Sequence, residues 1–520
     1  MSKKLLSRLI TMCLVLILGA LLMASPTMAA TPQEIQDAID AGLPWLASQQ
    51  LTDGSWDSLV GPTGLAVLKF ETHAMFMGVS PWDPSYIYAT NVQKGLDYIF
   101  GNAIVYAIVP QPAGDPDTNG NGIGIGAWNY GEPMYECGIA TMAVSASGAP
   151  DTLTTTGPVN VIGRTYKDVA QDMVDYLAFA QNEGGGRGGW YYVPNDSSSS
   201  DNSVSGYVTL GLSYAEASPP YGFDLVIPGF VRTELGIWIN YIQTSGGPDD
   251  GGSGYTAPGY WVNILKTGHL LSQMALVGDT QATPRVQRAV AYIARHWNDA
   301  NTDPGWRNHY QTCFTTMKGF HALGITLIDV DGDLTPETDW YDEMSTMIVN
   351  TQNPDGSWPV DYWWDETLAS AWAMLTLEKA APPALSLTPL FGTNPGGTQH
   401  TITVTYKLAG VPQQGIQINF LITAGPNAGE GGSDTTDVNG QASFTYTGDG
   451  GVGTDTIQAT AVEQTGAPLV SAEATKDWTE MAVGGEAYPI SGIGLIAPWI
   501  ALAVVIAAGG IYLVRRRAHS

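Results

Sequence analysis

Cysteine is almost absent from this 520-residue chain: there are three, and only Cys137 and Cys313 lie beyond the first thirty residues. That excludes a disulfide framework and leaves one bridge or two buried thiols. Basic residues are scarce too. Lys and Arg number 21 against 49 Asp and Glu, a net charge of −28. Nothing here could neutralise a phosphate backbone, so nucleic acid is excluded as a partner. Long apolar runs are confined to the two ends. At the start, Lys3, Lys4 and Arg8 precede an apolar run from Leu9 to Met23, and Ala29 and Ala30 follow. This reads as a secretory signal over residues 1–30. Near the other end, Ile493–Val514 is uncharged and long enough to span a bilayer, and Arg515, Arg516 and Arg517 follow. The expectation is an exported protein anchored in the cell membrane, its bulk outside, with a cytoplasmic tail at 515–520.

Glycine (62) and tryptophan (16) are plentiful, and they recur in a pattern. Gln50–Trp56 reads QLTDGSW and Gln352–Trp358 reads QNPDGSW. In both, an aromatic–aliphatic pair precedes the Gln, a Gly-rich turn follows, and Trp closes the unit. The same grammar gives Gln181 with Trp190, and Gln243 with Tyr255 in the place of Trp. Lys94–Phe100 opens a unit that Gly126–Trp128 closes after a long insertion, and Trp297 stands for Gln before Trp306. These are six units, each a helix, a turn and a second helix of small and apolar residues. Pro382 and Pro383 end the last helix. Short alternating runs such as HTITVTYKL and IQINFLIT then predict an all-β sandwich.

The repeated Gln…Gly-x-Trp unit resembles the QW repeat of squalene-hopene and oxidosqualene cyclases and of protein prenyltransferases. The resemblance implies a mainly α fold over 31–382: an (α/α)6 toroid of six helical hairpins around a cavity. It also implies that Gln50, Trp56, Trp128, Gln181, Trp190, Gln243, Trp306, Gln352 and Trp358 are structural, tying each outer helix end to the next inner helix. Residues 383–478 resemble a bacterial Ig-like domain of the invasin/intimin type; a linker (479–492) and the membrane helix (493–514) follow. The catalytic motifs of the cyclase family are missing. D-x-D-D, D-D-x-x-D, the Asp-x-Cys zinc pair and a GCGEQ-like thioester string do not occur.

Residues just after each Gly-x-Trp would line one mouth of the cavity. The candidate ligand pocket is Tyr135, Cys137, His269, Tyr310, Trp363 and Trp364, with Asp361, Asp365 and Glu136 as candidate acids. Aromatic faces stabilise cations, and a desolvated carboxyl can act as an acid. Two acidic loops are candidate calcium sites, because oxygen ligands at alternate positions suit a hard cation. One holds Asp115, Asp117, Asn119 and Asn121; the other holds Asp329, Asp331 and Asp333, with Glu337 and Asp339 beyond. No other cofactor is expected. The favoured function is binding of an apolar or glycan-like ligand by the toroid, with the Ig-like domain as spacer. Two alternatives stay open: a cyclase- or prenyltransferase-type enzyme with a non-standard acid, and a structural or adhesive surface protein that contacts another protein.

Overall fold

The computed structural model describes residues 29–480 apart from 78, 220, 301–302, 362–364, 380–383, 390, 409–410, 413, 463–468 and 471–473. The chain divides into two compact units, one mainly of helices through Ala384 and one mainly of strands from Leu385.

The helical unit is built from α1 (Pro32–Ser48), α2 (Val60–Phe76), α3 (Ala89–Gly101), α4 (Pro133–Ala146), α5 (Tyr166–Phe179), α6 (Asn202–Glu216), α7 (Gly229–Ile242), α8 (Ile264–Leu276), α9 (Pro284–Arg295), α10 (Tyr310–Ala322), α11 (Trp340–Thr351) and α12 (Glu366–Leu377). A capping box opens α1: the Glu34 amide donates to Thr31 Oγ1 (3.2 Å) and the Thr31 amide to Glu34 Oε2 (2.8 Å). Even-numbered helices are buried along nearly their whole length, whereas odd-numbered ones other than α5 bury a single face, as Val286, Ala289, Tyr292 and Ile293 do on α9. The even helices pack in chain order, α2 on α4, α4 on α6 and so on to α12, which returns to α2. They form a closed inner ring, with the odd helices packed outside it. Glycine permits the tightest contacts. A Cβ at Gly138 on α4 would lie 2.7 Å from the Tyr207 backbone on α6.

Two short ladders interrupt the helices. β1 (Ala103–Ala107) and β2 (Ile123–Ala127) pair antiparallel between α3 and α4, and β3 (Leu327–Ile328) pairs with β4 (Thr338–Asp339) around the second acidic loop.

The strand unit holds β5 (Ala384–Thr388), β6 (Phe391–Pro395), β7 (Gln399–Leu408), β8 (Val411–Pro412), β9 (Gln417–Ala424), β10 (Gly431–Thr435), β11 (Gln441–Thr447), β12 (Gly453–Val462), β13 (Leu469–Val470) and β14 (Ala474–Thr479). One sheet runs β10-β9-β12-β14-β6 with β13 beside β12, and the other runs β11-β7-β5 with β8 beside β7. Alternation along β9 buries Ile418, Phe420 and Ile422. Phe420 meets Phe444 of the other sheet at 5.6 Å and Tyr446 meets Trp478 at 5.7 Å. Buried Asp455 accepts from Trp478 Nε1 (2.6 Å), Asn427 Nδ2 (2.7 Å) and Tyr446 Oη (3.0 Å).

The expected fold is corrected on one point. No described helix is long and apolar enough to cross a membrane. The stretch Ile493–Val514, expected to be such a helix, lies outside the described residues, as do its basic tail and residues 1–28 of the expected signal.

Candidate functional site

The repeated Gln–Gly–Trp device is a joint in which the Gln amide nitrogen bridges two backbone carbonyls. Gln50 Nε2 donates to Gly54 O in its own turn (2.9 Å) and to Asn91 O at the start of α3 (2.9 Å). Gln181 bridges Gly188 O and Val231 O of α7; Gln243 bridges Gly251 O and Arg285 O of α9. Gln352 bridges Gly356 O and, at 2.8 Å, Ala38 O of α1. The carboxamide therefore ties its turn to the next outer helix, not to the next inner one. The turn glycines explain the geometry. Gly54, Gly188, Gly251 and Gly356 have φ between +87° and +95°, and a Cβ at each would lie within 2.3 Å of a carbonyl on that same outer helix. Only glycine lets the backbones touch.

Tryptophan makes the second tie. The indoles of Trp56, Trp190, Trp306 and Trp358 are fully buried and donate to Leu46 O, Leu177 O, Trp297 O and Ile348 O at 2.8–2.9 Å. Three of these backbone amides also donate to a hydroxyl on the following inner helix: Trp56 to Thr63, Trp190 to Ser205 and Trp358 to Ser370, each at 2.9 Å. In the fourth unit this bond comes from Ser253 to Thr267 (3.0 Å), so Ser253, not Tyr255, holds the joint position. In the second unit the Ala127 amide bonds the Cys137 thiol, so Ala127 takes the position and Trp128 is displaced to half-buried, donating to Tyr106 Oη at 3.2 Å. Cys313 lies 3.9 Å from Trp306 O. Both cysteines are free and buried, burial pushes both thiols up, and both occupy the slot that Thr63, Ser205, Thr267 and Ser370 fill elsewhere. Cys137 is a joint residue, not a pocket residue.

The candidate acids are likewise engaged. Glu136 accepts three backbone amides, from Gly61 (3.1 Å), Asn129 (2.8 Å) and Tyr130 (2.9 Å), fastening α2 to the loop before α4. Asp365 caps α12 through Leu368 N (2.9 Å), and burial raises its carboxyl above the usual range. Asp361 accepts the Tyr310 amide (3.1 Å) at the start of α10 and lies 3.5 Å from His309 Nδ1. Tyr310 Oη donates to Thr351 on α11 (3.0 Å). Trp363 and Trp364 lie outside the described residues.

The middle of the ring is filled. Tyr207 on α6 lies 5.6 Å from Tyr135 (α4), 5.0 Å from His269 (α8) and 6.4 Å from Phe314 (α10), and its hydroxyl accepts from Gln311 Nε2 at 3.2 Å. His269 is fully buried with neither ring nitrogen in a protein hydrogen bond, and burial pulls it down to about 3, helped by the Lys266 charge. It is a neutral part of the core.

A cavity of about 90 Å³ sits above this plug, at the N-terminal mouth of the ring. Of the expected pocket residues that the structure describes, only Tyr135 lines it. Tyr192, Tyr255 and Trp261 supply aromatic faces from the loops that lead into α6 and α8; Ser203, Asn263, Lys266, Asp303, His309 and Gln311 supply polar groups. The site is pre-organised by short contacts. Tyr135 pairs with the Ser203 hydroxyl, Tyr192 with Tyr255, and Trp261 Nε1 with Asp303. Asn263 caps α8 through Lys266 N (3.1 Å) while its amide reaches Asp303 (3.3 Å). Lys266 Nζ lies 4.2 Å from the Trp261 ring centre and 5.7 Å from that of Tyr255; burial draws it down to about 8 against the pull of Asp303 and Asp201. Buried Asp201, which accepts from Ser203 Oγ at 2.6 Å, has its carboxyl raised. Trp261 has φ +51°, unusual for a bulky residue, and is 43% exposed. The sequence did hold a signal for these residues. Tyr191-Tyr192 and Tyr260-Trp261 occupy the same stretch of their units as Tyr362-Trp363-Trp364.

The two acidic loops differ. Asp329, Asp331, Asp333 and Glu337 bring carboxylate oxygens within 4.8 Å of one another, while Asp329 accepts Gly332 N and Leu334 N at 2.8 Å. Asn119 and Asn121 turn their amides to Asp172 on α5 (2.7 and 2.9 Å), and Asp117 accepts Gly120 N and Gly122 N. That loop is pinned to the framework.

No family model and no curated protein matches the chain. The expected signal, prenyltransferase repeat and Ig-like domain are thus without family support, and that expectation is corrected. Among solved structures the chain is similar to the D00-D0 domain of intimin, at 22% identity over 19% of this chain and 48% of that one, with a TM-score of 0.16. The chain thus spans about half of that structure. It is also similar to the Pseudomonas fluorescens alkylpurine DNA glycosylase AlkC bound to DNA containing an abasic site analog, at 10% identity over 86% of this chain and all of that one, with a TM-score of 0.15. Neither score carries an inference about function.

Proposed function

We propose that the protein binds a glycan-like ligand at the N-terminal mouth of its helical ring. The observation that carries this reading is the composition of the cavity wall: the rings of Trp261, Tyr255, Tyr192 and Tyr135 interleaved with Ser203, Asn263, Lys266, Asp303 and Gln311. A sugar presents an apolar face and a girdle of hydroxyls, and amphipathic aromatic rings beside fixed donors and acceptors match both. A purely apolar ligand would leave these polar groups desolvated and unanswered. Tyr130 and Tyr260, each more than half exposed, stand on the loops before α4 and α8 and extend the aromatic rim. The strand unit serves as a spacer in this reading. The enzyme alternative loses its support because Glu136, Asp361 and Asp365 each hold backbone amides.

A glycan array followed by titration calorimetry tests the proposal. Binding of at least one glycan class is expected, weakened roughly tenfold or more by Trp261→Ala, which removes about 1.4 kcal/mol or more. Absence of glycan binding, with a lipid co-purifying instead, would reject it in favour of the apolar ligand.

A further inference from the structure

The opposite mouth of the ring has a pocket of its own, unrelated to the glycan reading. It measures about 220 Å³ and lies between the C-terminal ends of α6, α8 and α10. Leu210, Ala275 and Leu276 give it apolar walls; Tyr214, His321 and Lys318 give it polar ones. Lys318 is the unusual member. It is 4% exposed, its Nζ donates to Tyr214 Oη at 2.5 Å, and the amine lies 4.5 Å from the Tyr214 ring centre and 5.3 Å from that of Phe314. A long, flexible side chain has been folded inward, and the pocket wall it joins is where it meets the cavity.

We infer that this pocket is a second ligand site, in which the Lys318 amine captures a small aldehyde or ketone with an apolar tail as an imine. Burial draws the Lys318 ammonium down to about 7, so a substantial share is neutral amine at physiological pH, whereas an ordinary lysine is almost wholly protonated. The reaction balances without a redox partner. The nitrogen lone pair adds to the carbonyl carbon, and the C=O π pair moves to oxygen. Two protons pass from nitrogen to that oxygen and water leaves, with a C=N bond in place. The apolar walls accommodate the tail, and the volume, below that of a drug-sized pocket, limits the ligand to a few carbons.

The test treats the full chain with butanal and sodium cyanoborohydride at pH 7 and locates the reduced butyl adduct by peptide mass spectrometry. Preferential labelling of Lys318 over Lys94 and Lys167 is expected, with the labelling rate near half its maximum at pH 7. Ala275→Phe, which fills the pocket and keeps the amine, should abolish it; Lys318→Arg should remove the adduct with the thermal melt retained. Labelling spread over surface lysines with no excess at Lys318, or Lys318 labelling unchanged by Ala275→Phe, overturns the inference.

Discussion

Cys137 and Cys313 stand where four other repeats place a serine or threonine, and nothing in their local sequence says so. The slot needs only a small side chain that can meet a backbone group, and a thiol is a weak version of a hydroxyl there. Native protein should therefore resist iodoacetamide at both thiols, and Cys137→Ser should melt within a few degrees of the parent; rapid alkylation of the folded chain would contradict the burial of these thiols. His269 gives a prediction of opposite character. The unfolded chain takes up this proton near 6.5 and the folded chain only near about 3, so unfolding binds a proton between those values. The stability tied to His269 is present above 6.5 and is lost as the pH falls toward 3. His269→Gln should flatten the dependence of Tm on pH across that window. Asp175, raised to about 7 by burial, works the other way and stays in both proteins, so the comparison isolates the imidazole.

At the scale of single elements, the Gln–Gly–Trp spacing disclosed the turns because three demands coincide there: a positive φ, a backbone close approach and a large buried indole. Where one demand is relaxed, the spacing misleads. Ser253 and Ala127 supply the joint amide without an aromatic ring, so the nearest aromatic residues, Tyr255 and Trp128, mark the turn without holding the joint. The pocket was less legible than the fold. Glu136, Asp361 and Asp365 do sit near the starts of inner helices, but helix starts are also where carboxylates are wanted for capping. Lys266 and Asp303 gave no local sign, because their roles depend on loops from different units meeting. The loop Asp329–Glu337 can be judged directly. Burial and the like charges of Asp331, Asp333 and Asp329 raise the Glu337 carboxyl, and a divalent cation would relieve that crowding. Calcium at about a hundredfold above its Kd should add about 2.7 kcal/mol of stability, read as a rise in Tm that chelator reverses and Asp331→Asn with Asp333→Asn removes. An unchanged Tm would count against a cation there.

For the whole molecule, closure is the decisive property. An open helical array has two terminal repeats with a single neighbour each; here α12 packs on α2 and Gln352 reaches Ala38, so every inner helix has two neighbours. Six units of similar spacing imply hairpins but are equally compatible with a superhelix, and the contacts that join the two ends, α12 on α2 and Gln352 on Ala38, decide it. Gln352→Ala removes both donations of that carboxamide and should cost about 1–3 kcal/mol, more than Gln33→Ala on the exposed face of α1, and chemical denaturation of the two variants measures the difference.

Where a ring bites its own tail, its entrance and its exit share an address. Ala30 N lies 2.7 Å from Thr346 Oγ1, and α1 packs against α12. A pull applied between residue 30 and residue 379 would not be shared around the circle. It would fall first on the seam where the two ends meet, held by the Ala30 amide on Thr346, the Gln352 carboxamide on Ala38 and the buried Glu378 carboxylate on His73, so the mechanical strength of the helical unit in that direction is the strength of that one seam.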